Sequence, residues 1–198
     1  DSSNMLIDMD VLHFYDVASD TWHSQKTSGE APPVRDRHCA VGAAGPNGTY
    51  EMSVQTRSQK GKLMVPGVAY SEANRLLRRR RYVYGGNNFR KSPEIIKKDM
   101  YILSLPGFVW FRVDVESTYR SSHACIIPDN RQMIVVGGGA EAGGPNYEKQ
   151  DVLAQGLGVF DLHTLSWKDR YDANAGPYEP PQTVTDWYDE GYVLCTVL

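Results

Sequence analysis

The sequence predicts an all-β protein made of repeated four-stranded antiparallel sheets. Two hydrophobic runs each end in a double glycine, and the two pairs lie 52 residues apart. They are Gly85-Gly86 and Gly137-Gly138. An apolar strand with a tryptophan follows each pair, at Trp110 and at Trp167. A period of about 50 residues with these features is typical of β-propeller blades, which bury their faces only by stacking on one another.

Further residues recur at fixed distances from these landmarks. An aromatic residue or leucine, followed by Asp or Ser, stands seven and six residues before each tryptophan, Trp22 included. These pairs are Tyr15-Asp16, Leu103-Ser104 and Phe160-Asp161. Upstream of each glycine pair, an arginine stands three residues before a histidine, as Arg35 before His38 and Arg120 before His123. Because both histidines hold equivalent repeat positions, we predict structural hydrogen-bonding roles for them.

The repeats divide the chain into a half-blade and two complete blades. Residues 1–28 form the half-blade, 35–115 the first complete blade and 119–172 the second. Residues 180–198 read as the degenerate start of a further blade, with Thr183-Val184 at its first strand. Since a closed ring needs about four to eight blades, we expect an incomplete ring with unpaired edges. The chain starts with Asp1 inside a repeat, so we expect it to be a piece of a longer protein.

The first complete blade is about 33 residues longer than the second between its histidine and its glycine pair, and the excess lies roughly at 53–81. His38 stands 47 residues before Gly85, whereas His123 stands 14 before Gly137, and 47 − 14 = 33. The segment is basic and lacks strand alternation, so we expect it to be disordered. Two interpretations stay open: a basic loop that binds an acidic partner, or sequence foreign to the mature protein, such as a retained intron.

Composition and motifs argue against several classes of function. The 198 residues carry a net charge of −3, which gives no reason to expect a nucleic-acid partner. No run of about 18 apolar residues is present, so we predict no membrane span in this chain. The sequence contains no nucleophile elbow, Walker loop or HExxH motif, and no His/Cys pair with the close spacing of a zinc site. We therefore predict no catalytic residue, no cofactor and no metal site.

The cysteines and one sequon bear on the compartment. Cys39, Cys125 and Cys195 are odd in number and define no disulfide framework. We predict buried free thiols in strands, with a disulfide left open for a secreted protein. Asn47 begins an Asn-Gly-Thr triplet on a predicted turn. The triplet is either a glycosylation site, which would place the protein in the secretory route, or simply a turn.

Together these motifs resemble kelch repeats, the blade motif of kelch and galactose oxidase-like β-propellers. The resemblance covers the chain except for 53–81, and its strands are most similar to those of fungal kelch-containing proteins. Some of those are cell-surface or membrane-anchored, which favours an extracellular or membrane-associated location. The resemblance implies that the glycine pair ends the second strand of each blade, where the backbone passes closely. It also implies that Trp22, Trp110 and Trp167 pack between adjacent blades.

We predict from this a protein-interaction or scaffold module without catalytic activity. Two loops that follow the glycine pairs, 86–98 and 139–155, are expected to hold a partner protein or a glycan, because binding residues concentrate on loops of a rigid scaffold. Two alternatives stay open. One is a fragment of a galactose oxidase-like copper radical oxidase, although no motif-matched Tyr and His ligands can be assigned. The other is a truncated product without function.

Overall fold

The computed structural model describes residues 8–17, 19–43, 80–88, 95–105, 107–128, 130–139 and 150–190. Within these ranges the chain is mostly strands paired in antiparallel sheets, which confirms the predicted all-β fold with kelch-type blades. Asn47, Cys195 and nearly all of 53–81 lie outside the described residues, so the predictions made for them stay predictions.

Thirteen strands, one α-helix and a three-residue 3-10 helix at Ala154–Gly156 are described. The strands are β1 (Val11–Asp16), β2 (Thr21–Lys26), β3 (Ser28–Gly29), β4 (Cys39–Ala43), β5 (Arg80–Tyr84), β6 (Asn87–Asn88), β7 (Ile95–Ile96), β8 (Met100–Ser104), β9 (Val109–Val113), β10 (Ala124–Ile126), β11 (Gln132–Val136), β12 (Leu157–Asp161) and β13 (Ser166–Lys168). Helix α1 spans Gln182–Asp189.

Four sheets hold these strands. An N-terminal hairpin joins β1 and β2. The first blade has the order β3-β9-β8-β5-β4, in which β3 adds a parallel fifth strand at the edge. The second blade has the order β10-β11-β12-β13, and β6 pairs with β7 in a small ribbon. Both glycine pairs therefore follow the second strand of a blade, β5 or β11.

The first blade is buried on both faces because it lies between two neighbours. Successive strand residues point to opposite faces. Tyr82 and Met100 belong to an apolar core shared with the second blade, where Met133 and Phe160 contribute. Alternate residues such as Tyr101 belong to a second core that packs on the N-terminal hairpin. Stacking of blades thus buries the repeats, as their spacing indicates.

Left-handed backbone conformations recur at equivalent places that the sequence analysis missed. Asp20, Phe108 and Leu165 have φ of 55°, 50° and 50°, and each stands two residues before its tryptophan. Arg37 and Ser122, each directly before the repeat histidine, have φ of 52° and 56°. Since L-residues pay a steric cost of about 1–2 kcal/mol in this region, the fold rather than local preference holds them there.

Ser122→Gly is expected to raise the free energy of unfolding by about 0.5–1 kcal/mol. Glycine removes the left-handed strain, and this gain exceeds the entropy that glycine loses on folding. The exposed Ser122 side chain makes the position suitable for the test. Urea denaturation measures the change, with Ser122→Ala as the control. Alanine keeps the strain, so an equal gain from both variants would contradict this explanation.

The C-terminal residues within the described ranges adopt a different structure from the strand that the sequence analysis predicts. Thr183 and Val184 lie in helix α1, not in the first strand of a further blade. Pro181 precedes the helix, and Val184 and Tyr188 stand four residues apart on one face, a spacing that favours packing of a helix. The sequence analysis compared these residues with the repeat and missed their helical spacing. The excess segment also ends earlier than predicted, because Arg80 and Arg81 belong to β5.

Helix α1 packs on the first blade at the end opposite the glycine pairs. The Tyr188 hydroxyl accepts from the Gly107 backbone N–H at 3.2 Å, and the Trp187 ring meets Phe111 edge-on at 6.1 Å. Upstream, the hydroxyls of Tyr178 and Tyr82 lie 2.8 Å apart. The segment that follows the second blade, up to the end of helix α1, therefore packs against the first blade.

Candidate binding face at the glycine-pair end of the blades

The two candidate loops start from equivalent anchors. Asn87 and Asp36 exchange two backbone hydrogen bonds, of 3.0 and 2.9 Å. Gly139 and Ser121 exchange the same pair, of 2.9 and 3.0 Å. In both blades, the start of the loop is therefore hydrogen-bonded to the backbone of the residue two positions before the repeat histidine. Both loops leave the blades at the same end.

The second glycine of each pair makes this close approach possible. Gly86 and Gly138 have φ of 92° and 81°. A Cβ atom on Gly86 would lie 2.6 Å from the Asp36 carbonyl oxygen, and one on Gly138 would lie 2.5 Å from that of Ser121. Only glycine fits both the conformation and the space. The structure places these residues where the resemblance implied a close backbone passage.

A buried arginine clamps each glycine pair to an aspartate that precedes the third strand of the blade. Arg35 donates to the Gly85 carbonyl at 3.0 Å and to both carboxylate oxygens of Asp99, at 2.8 and 3.2 Å. Arg120 donates in the same way to the Gly137 carbonyl at 2.5 Å and to both oxygens of Asp151. Such two-point pairs combine charge with fixed geometry.

The sequence analysis identified both arginines but missed their carboxylate partners. A signal was present, because Asp99 stands 13 residues after Gly86 and Asp151 stands 13 residues after Gly138. The hydrogen bond from Arg120 is the main cause that lowers the pKa of Asp151. Burial raises the pKa of Asp99, but the hydrogen bond and charge of Arg35 outweigh it and hold that pKa below its ordinary value.

The lowered pKa of Asp151 predicts a loss of stability in acid. Below about pH 4, where an unfolded aspartate takes up a proton, the folded Asp151 stays ionised, so the unfolded state binds more protons and folding weakens as pH falls. Urea midpoints measured from pH 7 down to pH 3 should show a steeper acid loss for the parent chain than for Asp151→Asn. The exposed Asp114 supplies the control, and an Asp114→Asn variant that flattens the profile equally would contradict the assignment.

Backbone hydrogen bonds join the first loop to the second blade. The Gly86 N–H donates to the Arg120 carbonyl at 2.8 Å, and the Arg120 N–H donates to the Lys97 carbonyl at 3.1 Å. The Ser122 N–H donates to the Arg37 carbonyl at 2.9 Å. These bonds fix the roots of the two loops relative to each other.

The three repeat tryptophans have different surroundings. Trp110 is buried and its indole N–H donates to the Met9 carbonyl at 2.9 Å, next to the N-terminal hairpin. Trp167 donates to the Ser117 hydroxyl at 3.0 Å and meets the Tyr84 ring of the first blade at 5.5 Å. Trp22 is 73% exposed. Two of the three thus contact the preceding unit, and Trp22 does not within the described residues.

The repeat histidines also differ. His38 lies against Gly86 at the root of the first loop. His123 is 8% exposed and packs edge-on against the Tyr84 ring at 5.0 Å. Neither nitrogen of His123 makes a hydrogen bond of ordinary geometry among the described residues, and a contact with the Tyr84 backbone has the smallest influence on its pKa. Burial, and then the charges of Arg120 and His38, lower the pKa of His123 to about 4, so the imidazole is neutral near pH 7. The structural hydrogen-bonding role predicted for this histidine stays a prediction.

A disulfide joins the first strands of the two blades. Cys39 in β4 and Cys125 in β10 are bonded, with Cα atoms 5.6 Å apart. The prediction of free thiols was wrong for these two residues, because stacking of the blades brings together strands 86 residues apart in sequence. Closing so long a loop stabilises a fold by roughly 4–5 kcal/mol in the chain-entropy description.

The disulfide lies beside His123. Its two sulfurs and one nitrogen of His123 lie within 4.8 Å of one another, a cluster that the sequence analysis missed. His123 and Cys125 stand only two residues apart, but the third member, Cys39, belongs to the other blade, so spacing along the chain does not reveal the set of three.

Stacked four-stranded sheets with repeated glycine pairs and arginine clamps define a protein built from propeller blades. No family model matches the chain. It is similar to a Kelch repeat-containing protein of Arthroderma benhamiae, with 31% identity over 85% of this chain and 21% of that protein. It is also similar to Kelch domain-containing protein 3 of Rattus norvegicus and of Homo sapiens, with 24% and 22% identity over 80% of this chain and 33% of those proteins. The chain belongs to the kelch-repeat family.

The chain spans only a fifth to a third of the length of these relatives. Among the residues that the structure describes, no helix is long and apolar enough to cross a membrane.

Proposed function

We propose that the chain is a kelch-type interaction module with no catalytic activity of its own, which holds a partner protein between loops 86–98 and 139–155. The main support for this proposal is that both loops are anchored by the same pattern of backbone hydrogen bonds. The Asp36–Asn87 and Ser121–Gly139 bridges start both loops at the same end of neighbouring blades. Loops fixed in this way on a rigid scaffold are where binding residues concentrate.

Rigidity of the junction supports the same function. The Cys39–Cys125 disulfide and the hydrogen bonds of Arg120 to Gly86 and Lys97 prevent the loop roots from separating. A surface held in its binding conformation loses little entropy when a partner binds. At the root of the first loop, Tyr119 is exposed with the Lys98 ammonium 5.6 Å from its ring centre. Tyrosine is enriched at the centres of protein interfaces.

The proposal includes an extracellular or membrane-associated location. The Cys39–Cys125 disulfide supports it, because disulfides persist in oxidising compartments. The Asn47 sequon would agree with such a location if it is glycosylated.

Photo-crosslinking tests the proposed binding face. A photoreactive phenylalanine is placed at Phe89 in the first loop, at Tyr147 in the second, or at Thr164 in the turn between β12 and β13. The first two positions should crosslink the same partner protein in extracts of the source organism, and Thr164, at the opposite end of the blade, should not. Crosslinking from Thr164 alone would contradict the assignment of the binding face.

A further inference from the structure

The strongest chemical cluster outside the proposed binding face consists of Cys39, Cys125 and His123. It lies where β4 of the first blade meets β10 of the second. Cys39 is 6% exposed and His123 is 8% exposed, while Cys125 is half-buried. Their sulfur and nitrogen atoms lie within 4.8 Å of one another, so one ion could contact all three after small side-chain rotations.

His123 supplies an independent reason to expect a ligand. A buried polar atom without a partner costs about 1–3 kcal/mol, so native proteins rarely leave one. Neither ring nitrogen of His123 makes a hydrogen bond of ordinary geometry in the described part of the chain, and the contact with the Tyr84 backbone is the weakest influence on its pKa. Packing against the Tyr84 ring explains where the imidazole lies but does not supply a good partner for its nitrogens.

The chemistry of the donors selects the ion. Two thiolates and one imidazole suit Zn²⁺, which binds Cys and His in tetrahedral geometry, and do not suit Mg²⁺ or Ca²⁺. Three protein ligands leave a fourth position for water, and Cys125 is half-buried and not fully enclosed.

We propose that reduction of the Cys39–Cys125 disulfide converts this cluster into a zinc site with Cys39, Cys125 and His123 as ligands. The blades are then joined covalently in the oxidised chain and through the metal in the reduced chain. In the reduction, a dithiol gives two electrons and two protons to the S–S bond of the protein. The protein then carries two thiols, and the dithiol is oxidised to a disulfide. Zinc then replaces the two thiol protons, which are released to solvent.

Cobalt binding tests the ligand set directly. The chain carries Cys195→Ser to remove the third thiol. A phosphine reduces the disulfide and is itself oxidised to a phosphine oxide, with one oxygen atom from water per disulfide bond. The reduced chain is then exchanged into metal-free buffer. Co²⁺ is the probe, since thiolate ligands give it a charge-transfer absorption band. The reduced chain should bind one Co²⁺ with this band and lose it when Zn²⁺ is added, whereas the oxidised chain should show no band. A reduced, folded chain without the band would overturn the proposal.

Variants separate the proposed ligands from the other residues. Cys125→Ser and His123→Asn should each weaken Co²⁺ binding by roughly tenfold or more, equivalent to about 1.4 kcal/mol. His163→Asn is the matched control, because His163 lies at the opposite end of the second blade and contacts the Glu179 and Pro180 carbonyls. Equal losses from His163→Asn and His123→Asn would overturn the assignment of His123.

A thermal measurement decides the question if a variant does not fold. Binding to the folded state alone raises the melting temperature. Zn²⁺ should therefore raise the melting temperature of the reduced Cys195→Ser chain and leave that of the oxidised chain unchanged. An equal rise in both states, or none in the reduced state, would show that the metal does not use the cysteines.

Discussion

Gly138→Ala is expected to lower the free energy of unfolding by about 3 kcal/mol or more. Alanine there would adopt a left-handed backbone conformation at a cost of about 1–2 kcal/mol. Its Cβ would also lie 2.5 Å from the Ser121 carbonyl oxygen and 2.7 Å from the His123 Cβ, and such overpacking costs about 1–3 kcal/mol. Because the oxygen belongs to backbone held in the Ser121–Gly139 bridge, it has little freedom to move away.

The neighbouring glycine provides a matched control. Gly137 also has a positive φ, of 65°, but no atom of the described residues lies within 4 Å of a Cβ built on it. Gly137→Ala should therefore cost only about 1–2 kcal/mol, the conformational strain alone. Urea denaturation of both variants measures the difference. Equal losses at the two positions would show that the close approach to Ser121 does not hold the blade together.

Arg35→Met is expected to lower the free energy of unfolding by about 3 kcal/mol. Methionine keeps the aliphatic packing near the Tyr101 ring but removes the donors to Asp99 and to the Gly85 carbonyl. Removing one member of a buried ion pair costs about 3–5 kcal/mol, because the other charge stays without compensation. Asp99 keeps partial contact with water, so the lower end of that range applies.

An exposed ion pair provides the comparison for this variant. Arg112 lies 3.4 Å from Glu30, and both side chains are more than half exposed. Arg112→Met should therefore change the free energy of unfolding by less than about 1 kcal/mol. Chemical denaturation at neutral pH measures both changes. A loss from Arg112→Met as large as that from Arg35→Met would mean that the clamp on the glycine pair has no special role.

Much of the fold was predictable because it follows from local repetition. The glycine pairs marked the ends of β5 and β11, because the hydrophobic run before each pair is a strand of the structure. These features depend on the backbone of one blade, which each repeat specifies again. Helix α1 was missed because its residues were compared with a strand of the repeat and not examined for the spacing of Val184 and Tyr188.

The candidate site was less predictable because its contacts cross between blades. The Cys39–Cys125 bond joins residues 86 positions apart, and no feature within either repeat marks them as partners. The Arg120–Asp151 ion pair could have been predicted, because the same 13-residue spacing from the second glycine to an aspartate occurs in both blades. Finding it required a comparison of the C-terminal ends of the two loops. The burial of His123, and the lowered pKa that follows from it, depend on packing against the neighbouring blade, which sequence spacing does not report.

Disulfide mapping tests most directly the claim that the two blades stack as one rigid support for the loops. The chain is reduced, reoxidised in a glutathione buffer, digested without reductant and examined by mass spectrometry. The stacking of β4 against β10 predicts one linked peptide pair containing Cys39 and Cys125, with Cys195 as a free thiol. A bond from Cys195 to either of them, or three free thiols in the folded chain, would contradict the stacked arrangement.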